Sequence, residues 1–443
     1  MFLISNLINN DYTMSTQTKT VAFHTLGCKL NFSETSTISR DFVQYGFEKV
    51  DYRDKADIYV INTCSVTENA NKEARKLIRQ AKRRNPDSSV AVIGCYAQLK
   101  PNEIAEIDGV DIVLGSEEKF NILQHLEKIS IQQDTMVIQS GIEYVNEFRP
   151  SYSIGERTRS YLKVQDGCDY TCSFCTIPLA RGKSRSDNII NTMKIAQEVS
   201  KKGAKEIVLT GVNVGDYGKG SGETFQDLLI ELDHLNGIER IRISSIEPNL
   251  LSEGIIEFCN SSRLFMPHYH MPLQSGSNKI LRSMRRRYDR GLYRSRVKMI
   301  KSIDPDACIG ADVIVGFPGE TDDDFLDTYN FINDLDVSYL HVFTYSERQD
   351  TDAIDHSDPV SHEKRSERSK MLHILSDKKR RYFYEQFLNC TREVLFESMK
   401  NGQIYGHSDN YIQIKVDESS DLINTLHPTH LKRIDGGMVI GRL

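Results

Sequence analysis

The sequence predicts an α/β protein in three parts: an amino-terminal domain with a parallel sheet over residues 20–131, an incomplete (β/α)6 barrel over 154–382, and a small β-barrel over 383–443. Two observations predict this order. Short apolar runs alternate with amphipathic stretches twice along the chain, and the last part holds short strand-like runs between turn residues. With 443 residues, 39% of them apolar, the chain is long enough for several cores.

Residues 1–19 are predicted to be a flexible leader. The opening MFLISNLINN lacks a basic flank and runs into polar DYTMSTQTKT, so it does not resemble a signal peptide, and the start lies at Met1 or Met14. No stretch reaches the ~18 apolar residues that span a bilayer. We therefore expect no membrane partner and a cytoplasmic location, where thiols stay reduced.

The amino-terminal domain is predicted from the runs VAFHTLGC, DIYVINTC and VAVIGC, which end in Cys28, Cys64 and Cys95. In an open parallel sheet the carboxyl ends of the strands meet at one edge, where ligands bind. A single cysteine at such a position is often only packed. Three at equivalent positions favour a shared ligand role.

The barrel is predicted from six further runs, which are YLKVQDGC, EIVLTGVNV, RIRISSIEP, PHYHMPLQS, IGADVIVGFP and YLHVFTYS. Functional groups in such barrels come from the carboxyl ends of the strands. The loop after the second strand, TGVNVGDYG, contains Gly211 and Asn213, which would let backbone approach a cofactor. A tight turn explains the same residues equally simply.

The small β-barrel is predicted from REVLFES, GQIYGHS and YIQIKV, which follow a long polar helix after Ser361.

The loop after the first barrel strand, GCDYTCSFCTIPLARG, carries Cys168, Cys172 and Cys175 in a C-x3-C-x2-C pattern. Cubane iron–sulfur clusters normally take four thiolates, so three suggest one iron open to another ligand. Structural zinc usually has a fourth Cys or His, and no His lies between Tyr161 and Asp187. A disulfide framework fits poorly with nine cysteines, an odd number, in a chain without an export signal.

At these residues the chain resembles the radical S-adenosylmethionine superfamily, in which an aromatic residue, here Phe174, usually precedes the last cysteine. The resemblance implies a [4Fe–4S] cluster on Cys168, Cys172 and Cys175 whose free iron binds S-adenosylmethionine. It also implies reductive cleavage to a 5′-deoxyadenosyl radical. The protein would then supply orientation and exclude water.

The motifs TLGCKLNFSET, INTCSVTENA and VIGCYAQ, with HYHMPLQSGSNKILRSMRRRY and DVIVGFPGET, resemble the methylthiotransferases, a branch of that superfamily. The resemblance covers nearly all of the chain from Thr20. It implies a second [4Fe–4S] cluster on Cys28, Cys64 and Cys95, and two S-adenosylmethionine molecules per turnover. The carboxyl-terminal part would be the family's TRAM-like RNA-binding barrel. No catalytic residue beyond the thiolates is identified, and Cys259, Cys308 and Cys390 are predicted to be packed thiols.

TLGCK and TIPLARGKSRS are most similar to the subfamily that methylthiolates C2 of N6-threonylcarbamoyladenosine at position 37, in the anticodon loop of tRNA. The subfamily that modifies an aspartate of a ribosomal protein shares the RG-x-x-RS pattern and stays an alternative. An iron–sulfur electron carrier or an RNA-binding regulator without turnover is a second alternative. The sequence identifies neither the electron donor nor the sulfur donor, the oligomeric state or the tRNAs chosen.

Charge gives mixed support for an RNA partner. The net charge is −6, yet residues 281–301 hold nine Lys or Arg against one Asp, and 361–381 hold eight against three acids. Solvated helix faces would give the same stripes. In the last part, Tyr405, His407 and Tyr411 are candidates for stacking on bases or for packing in the core.

Overall fold

The computed structural model describes residues 18–65, 68–129, 134–155, 158–417 and 420–443. The predicted leader lies outside the described residues up to position 17, and with it the choice between Met1 and Met14. The α/β class and its three components, a parallel sheet, a half-open barrel and a closed β-barrel, are confirmed.

The first component is a six-stranded sheet in which every pair of neighbours is parallel. Its strands, in chain order, are β1 (Thr20–Thr25), β2 (Glu48–Val50), β3 (Ile58–Thr63), β4 (Ser89–Gly94), β5 (Ile112–Leu114) and β6 (Met136–Ile138). Its helices are α1 (Lys29–Gln44), α2 (Glu68–Arg84), α3 (Cys95–Leu99), α4 (Pro101–Ala105) and α5 (Ile122–Ile129). The sheet order is β2-β1-β3-β4-β5-β6, and separate apolar clusters cover its two faces. The strands β3 and β4 are almost completely buried, as the apolar runs IYVINT and VAVIG predict.

The second component is a half-open barrel of six parallel strands. They are β8 (Arg159–Lys163), β11 (Glu206–Thr210), β12 (Arg240–Ile243), β13 (His268–Gln274), β14 (Cys308–Val315) and β15 (Tyr339–Thr344). Two parallel bridges, Ile241 to Phe265 and Ser245 to His270, join the two groups of three strands. Short antiparallel additions are β7 (Ser151–Tyr152), β9 (Gln165–Asp166) and β10 (Arg185–Ser186).

Helices cover the outside of this barrel, and one large apolar cluster fills the space between them and the strands. The helices are α6 (Ile177–Arg181), α7 (Ile189–Lys201), α8 (Phe225–Asp233), α9 (Glu253–Ser261), α10 (Asn278–Ser283), α11 (Arg290–Ile303) and α12 (Asp322–Asp334). Side-chain caps fix several starts: Thr224 and Asp227 form a reciprocal capping box at α8, and Thr321 and Asp324 form another at α12. Short 3₁₀ turns occur at Glu118–Asn121, Ile142–Tyr144, Val214–Asp216, Asp352–Asp355 and Ser420–Leu422.

The third component follows the long helix α13 (His362–Glu385). It is a closed barrel in the order β16-β17-β18-β20-β19. Its strands are β16 (Thr391–Lys400), β17 (Gln403–Ser408), β18 (Gln413–Val416), β19 (Leu426–Asp435) and β20 (Met438–Arg442). Closure leaves no free sheet edge.

The closed barrel packs against the amino ends of the strands of the half-open barrel. Arg240 Nη1 donates to the His407 carbonyl over 3.1 Å, and Arg242 donates to the carbonyls of Ser408 and Asp409 over 2.8 Å each. The opposite, carboxyl ends of the strands face the amino-terminal sheet. Among the described residues, no helix combines the length and the apolar character that a bilayer crossing requires.

Candidate functional site

The carboxyl edge of the first sheet holds the first three predicted ligands. Cys28 lies three residues after β1, Cys64 directly follows β3, and Cys95 directly follows β4. Because these three strands are neighbours in a parallel sheet, the three thiols meet at one edge, as the sequence predicts. Cys64 and Cys95 are buried, whereas Cys28 is exposed.

Gly27 brings two of these cysteine loops together. Its φ is +96°, and a Cβ atom built there would lie 2.7 Å from Cys64 Cβ and 2.9 Å from Cys64 Sγ. Only glycine combines this backbone conformation with so close an approach.

The second triplet lies in the loop between β9 and α6, which we call the radical loop (167–176). The Cys168 amide donates to the Gly182 carbonyl over 3.0 Å, and the Cys175 amide donates to the Cys172 carbonyl over 3.1 Å. These bonds fold the loop on itself. All three cysteines are half-buried.

The donor chemistry of this loop fits a metal cluster. Burial raises the pKa of the Cys168 thiol to about 11 and that of the Cys175 thiol to about 12. A bound metal is what displaces such protons at neutral pH. Arg286 Nη1 also donates to Cys172 Sγ over 3.1 Å, which suits a sulfur that carries negative charge.

A cavity of about 180 Å³ opens beside the radical loop and runs along the carboxyl ends of β13, β14 and β15. Its wall includes Phe174, Cys175, Gln274, Asp312, Ile314 and Tyr345. Two predicted cofactor residues, Phe174 and Cys175, therefore line one cavity. Its position next to the cysteines suits an elongated cofactor that begins at the cluster.

Gly211 and Asn213, which were also predicted to approach a cofactor, are not part of this cavity wall. The Asn213 amide donates to Gln165 Oε1 over 2.9 Å, and its side-chain amide donates to Asp216 Oδ2 over 3.1 Å. A Cβ atom at Gly211 would lie 2.9 Å from the same Gln165 oxygen. Contact of Gly211 and Asn213 with a cofactor stays a prediction.

A polar cluster in the strands of the half-open barrel was not predicted. Asp312 Oδ1 lies 2.9 Å from His270 Nε2 and 3.1 Å from His341 Nδ1. Burial alone would raise the pKa of Asp312, but the two imidazoles, His270 foremost, hold it well below its usual range. The signal was present in HYHMPLQ, IGADVIVGFP and YLHVFTYS, where polar residues interrupt buried strands.

Lys29 lies beside the first cysteine site. It directly follows Cys28 at the start of α1 and is half-buried. Burial lowers the pKa of its ammonium group from the ordinary value, and Arg159 acts in the same direction, whereas Tyr161 and Asp312 favour the charged form. Within the described part of the chain, no hydrogen bond or ion pair engages Lys29, so its charge remains available to a ligand.

Of the two roles predicted for the aromatic residues of the closed barrel, packing is the one that the contacts of His407 and Tyr411 favour. Tyr411 stacks on His268 of β13 with 3.9 Å between ring centroids, and His407 stacks on Tyr411 at 4.7 Å. Both rings thus lie in the junction between the two barrels. Tyr405, half-buried on β17, is not part of this stack.

The basic stripes are only partly solvated. In 361–381, Arg365 and Arg368 are buried and pair with Glu347 and Glu320 over 2.6 Å each. In 281–301, Arg286 pairs with Glu247.

Four other arginines of 281–301 are exposed: Arg282, Arg285, Arg287 and Arg294. Arg287 Nη2 donates to the Asp169 carbonyl of the radical loop over 3.1 Å. Arg287 therefore places positive charge beside that loop, whereas Arg285 pairs with Asp352.

Cys259 and Cys308 are buried, and Cys308 packs in the apolar cluster that joins the barrel to α13. Cys390 is exposed, so its predicted packing is wrong: it lies between α13 and β16 rather than in a core.

Comparison with known proteins identifies the same two regions. Residues 20–115 match the uncharacterized protein family UPF0004, and residues 162–332 match the radical SAM superfamily. The threonylcarbamoyladenosine tRNA methylthiotransferase MtaB of Bacillus subtilis (strain 168) is 40% identical over 418 residues, which cover 92% of each chain. The tRNA-2-methylthio-N(6)-dimethylallyladenosine synthase of Endomicrobium trichonymphae is 32% identical, covering 87% of this chain and 90% of that one.

Among solved structures, the radical S-adenosylmethionine methyltransferase TsrM from Kitasatospora setae superposes with a TM-score of 0.55. It is 13% identical and the match covers 74% of this chain and 75% of that one, so the likeness concerns the fold. The 40% identity over 92% of each chain is stronger evidence than the likeness of folds. It confirms the resemblance seen in the motifs, and membership of the radical SAM superfamily implies a [4Fe–4S] cluster and S-adenosylmethionine. The chain belongs to the methylthiotransferase family of radical S-adenosylmethionine enzymes.

Proposed function

We propose that this enzyme methylthiolates C2 of N6-threonylcarbamoyladenosine at position 37 of tRNA. Cys168, Cys172 and Cys175 hold the cluster that binds S-adenosylmethionine. Cys28, Cys64 and Cys95 hold a second [4Fe–4S] cluster, and each turnover uses two S-adenosylmethionine molecules. The clusters and the cofactor supply the radical and the methylthio group when bound.

One observation carries the proposal: the two cysteine triplets lie on either side of a contact between the amino-terminal domain and the half-open barrel, formed by α3 and α6. Helix α3 starts at Cys95 and α6 starts directly after the radical loop, and these helices pack on each other. Ser116 Oγ, beyond β5, donates to the Ala180 carbonyl of α6 over 2.7 Å in the same junction. A substrate bound there would reach both sites.

The residues of this chain then act by binding and orientation. The cavity beside Cys175 holds S-adenosylmethionine, and Arg286 donates to Cys172 Sγ. The apolar side chains of Phe174 and Ile314 in the cavity wall limit the access of water to the reacting centre. Asp312 is fixed by two imidazoles and presents an oxygen acceptor to the cavity.

Lys29 supports the choice of nucleoside. A threonylcarbamoyl group ends in a carboxylate, whereas a dimethylallyl group is a neutral hydrocarbon. An ammonium beside Cys28, engaged by no hydrogen bond or ion pair from the residues that the structure describes, favours the anionic group. The exposed Arg287 beside the radical loop favours contact with the phosphates of an RNA loop.

The test is mass spectrometry of the nucleosides of cytoplasmic tRNA from a strain of the source organism in which this gene is deleted. Loss of 2-methylthio-threonylcarbamoyladenosine, and its return with the wild-type gene, is the expected result. An unchanged nucleoside profile rejects the proposal. Loss of methylthio-aspartate from a ribosomal protein would then identify the alternative substrate. A protein that releases no 5′-deoxyadenosine from S-adenosylmethionine would instead be an electron carrier or a regulator.

A further inference from the structure

A group of six charged side chains is buried where α1 meets β8, β9 and α6, and we call it the junction network. Its members are Glu34, Lys119, Lys163, Asp166, Arg181 and Arg185. The side chain of Arg185 is 13% exposed and those of the other five are at most 4% exposed.

Glu34 is the centre of this network. Lys119 Nζ lies 2.7 Å from Glu34 Oε2, and Lys163 Nζ lies 3.0 Å from Glu34 Oε1. Arg181 reaches both oxygens, with Nη1 at 3.1 Å from Oε1 and Nη2 at 3.2 Å from Oε2. Asp166 accepts from Arg181 Nη1 over 2.9 Å.

The network is not electrically balanced. Four cations face two carboxylates, which leaves an excess of two positive charges in the interior. Excess buried charge is costly unless an opposite charge lies nearby. The opposite charge is available in the first cysteine triplet: Arg181 acts electrostatically on Cys28 and Cys95, and Lys119 acts on Cys95.

The second triplet has a different electrostatic environment. The charged groups that act most strongly on Cys172 are Arg286, Glu247 and Arg287, none of which belongs to the junction network. The excess positive charge of the junction network therefore acts mainly on the first cysteine triplet.

Arg181 also fixes the loops that carry the first triplet. Its Nη2 donates to Asn31 Oδ1 over 2.6 Å. The Asn31 side-chain amide donates in turn to the Leu26 carbonyl over 2.9 Å and to the Thr63 carbonyl over 3.0 Å. Leu26 and Thr63 immediately precede the turns that present Cys28 and Cys64.

We propose that the junction network raises the reduction potential of the cluster on Cys28, Cys64 and Cys95, with Arg181 as the positioning residue that couples charge and loop geometry. Fixed positive charge beside a cluster favours its reduced form, because reduction adds a negative charge. The inference rests on the proposed second cluster.

The experiment uses the full chain with Cys168, Cys172 and Cys175 all replaced by Ala, so that only the second site can load. After anaerobic reconstitution, its midpoint potential is measured by electron paramagnetic resonance. Arg181→Gln is expected to shift the potential to a more negative value, and Glu34→Gln to a more positive one. Arg181→Lys keeps the charge and is expected to restore most of the parent potential.

Arg392→Gln is the matched control, because it removes a partly buried guanidinium in the closed barrel, where Arg392 pairs with Asp409. Its potential should equal that of the parent. Equal potentials for Arg181→Gln, Glu34→Gln and the parent overturn the inference, as do shifts of the same sign.

Two further outcomes of the experiment would also test the inference. If Arg181→Gln fails to fold, Lys119→Gln takes its place, with the same expected negative shift and the same rejection by an unmoved potential. If the parent itself binds no iron by chemical analysis, the second cluster of the proposed function fails, and this inference with it. A loaded parent with unmoved potentials overturns the inference alone.

Discussion

Arg181 of α6 and Glu34 of α1 form two hydrogen bonds, of 3.1 and 3.2 Å, across the junction between the half-open barrel and the amino-terminal sheet. The two residues are 147 positions apart in the chain, and both are buried. Burial alone would raise the pKa of Glu34, but Arg181, Lys119 and Lys163 together hold it well below its usual range.

Replacement of Glu34 by Ala is expected to destabilise the protein by about 3–5 kcal/mol, because it leaves three cations buried without their shared partner. Urea denaturation followed by circular dichroism measures the change. Glu73→Ala is the control: Glu73 forms an exposed pair with Lys76, so a loss below about 1 kcal/mol is expected. Equal losses for the two variants would contradict a stabilising role for Glu34.

Cys64→Ala and Cys168→Ala are expected to have separable effects. Cys64→Ala should keep the release of 5′-deoxyadenosine and lose methylthiolation, because only the second cluster site is damaged. Cys168→Ala should lose both. Chromatography of the reaction products distinguishes them, and normal methylthiolation by Cys64→Ala would reject the second site.

Lys29→Met is expected to lower kcat/KM on tRNA that bears threonylcarbamoyladenosine by roughly 10- to 100-fold, the value of one hydrogen bond to a charged group. Lys201→Met, a change of the same kind on the exposed end of α7, should leave kcat/KM unchanged. Initial rates over a range of tRNA concentrations give both values. An unaltered kcat/KM in Lys29→Met would remove the ammonium from substrate binding.

Acid should weaken the contact between α12 and the loop after β13. Burial would raise the pKa of Asp324, but Lys279, Thr321 and Ser277 lower it from the ordinary 3.8 to about 2. Because the pKa is lower in the folded protein, this stabilisation is complete above about pH 4 and is lost as the pH falls through about 2. The melting temperature of Asp324→Asn should therefore lie below that of wild type at pH 7, with a smaller difference at pH 2.5. A constant difference would show that ionisation of Asp324 contributes nothing.

Tyr411→Leu is expected to lower stability by about 1–2 kcal/mol, because the ring stacks on His268 and lies 5.1 Å from the Arg242 guanidinium. RNA affinity should stay the same, since the ring lies in the junction between the barrels. Thermal denaturation and a filter-binding titration with tRNA measure the two effects. Weakened RNA binding at unchanged stability would return Tyr411 to the role of a base-stacking residue.

The sequence was sufficient for features that depend on local pattern. Cys28, Cys64 and Cys95 could be placed together because each follows a strand of a parallel sheet, and the radical loop could be recognised from the spacing of its cysteines. Side-chain partners could not be predicted in this way. Nothing near Arg181 in the sequence indicates Glu34, and the stack of Tyr411 on His268 depends on how two barrels dock.

Two other features were not predicted because they too depend on side-chain partners that are distant in the sequence. Asp312 lies within an apolar run. It lies opposite His341 in the pairing of β14 with β15, and on β13 it lies opposite Pro272, two residues after His270, so the contacts depend on strand pairing. Arg365 and Arg368 belong to a helix that looks like a solvated face, and they are buried because acidic residues of the barrel loops reach them.

Gly27 has only a hydrogen atom as its side chain, and this allows the loops that carry Cys28 and Cys64 to pack in direct contact. Even a methyl group would have to push Cys64 away from its neighbour, since it would come within 2.7 Å of that residue's Cβ. A homologous chain with a larger residue at this position could thus retain every cysteine and still be unable to bind one shared ligand with all three thiols. A list of ligand residues that includes only cysteines would omit Gly27, although Gly27 determines how closely the loops of Cys28 and Cys64 approach each other.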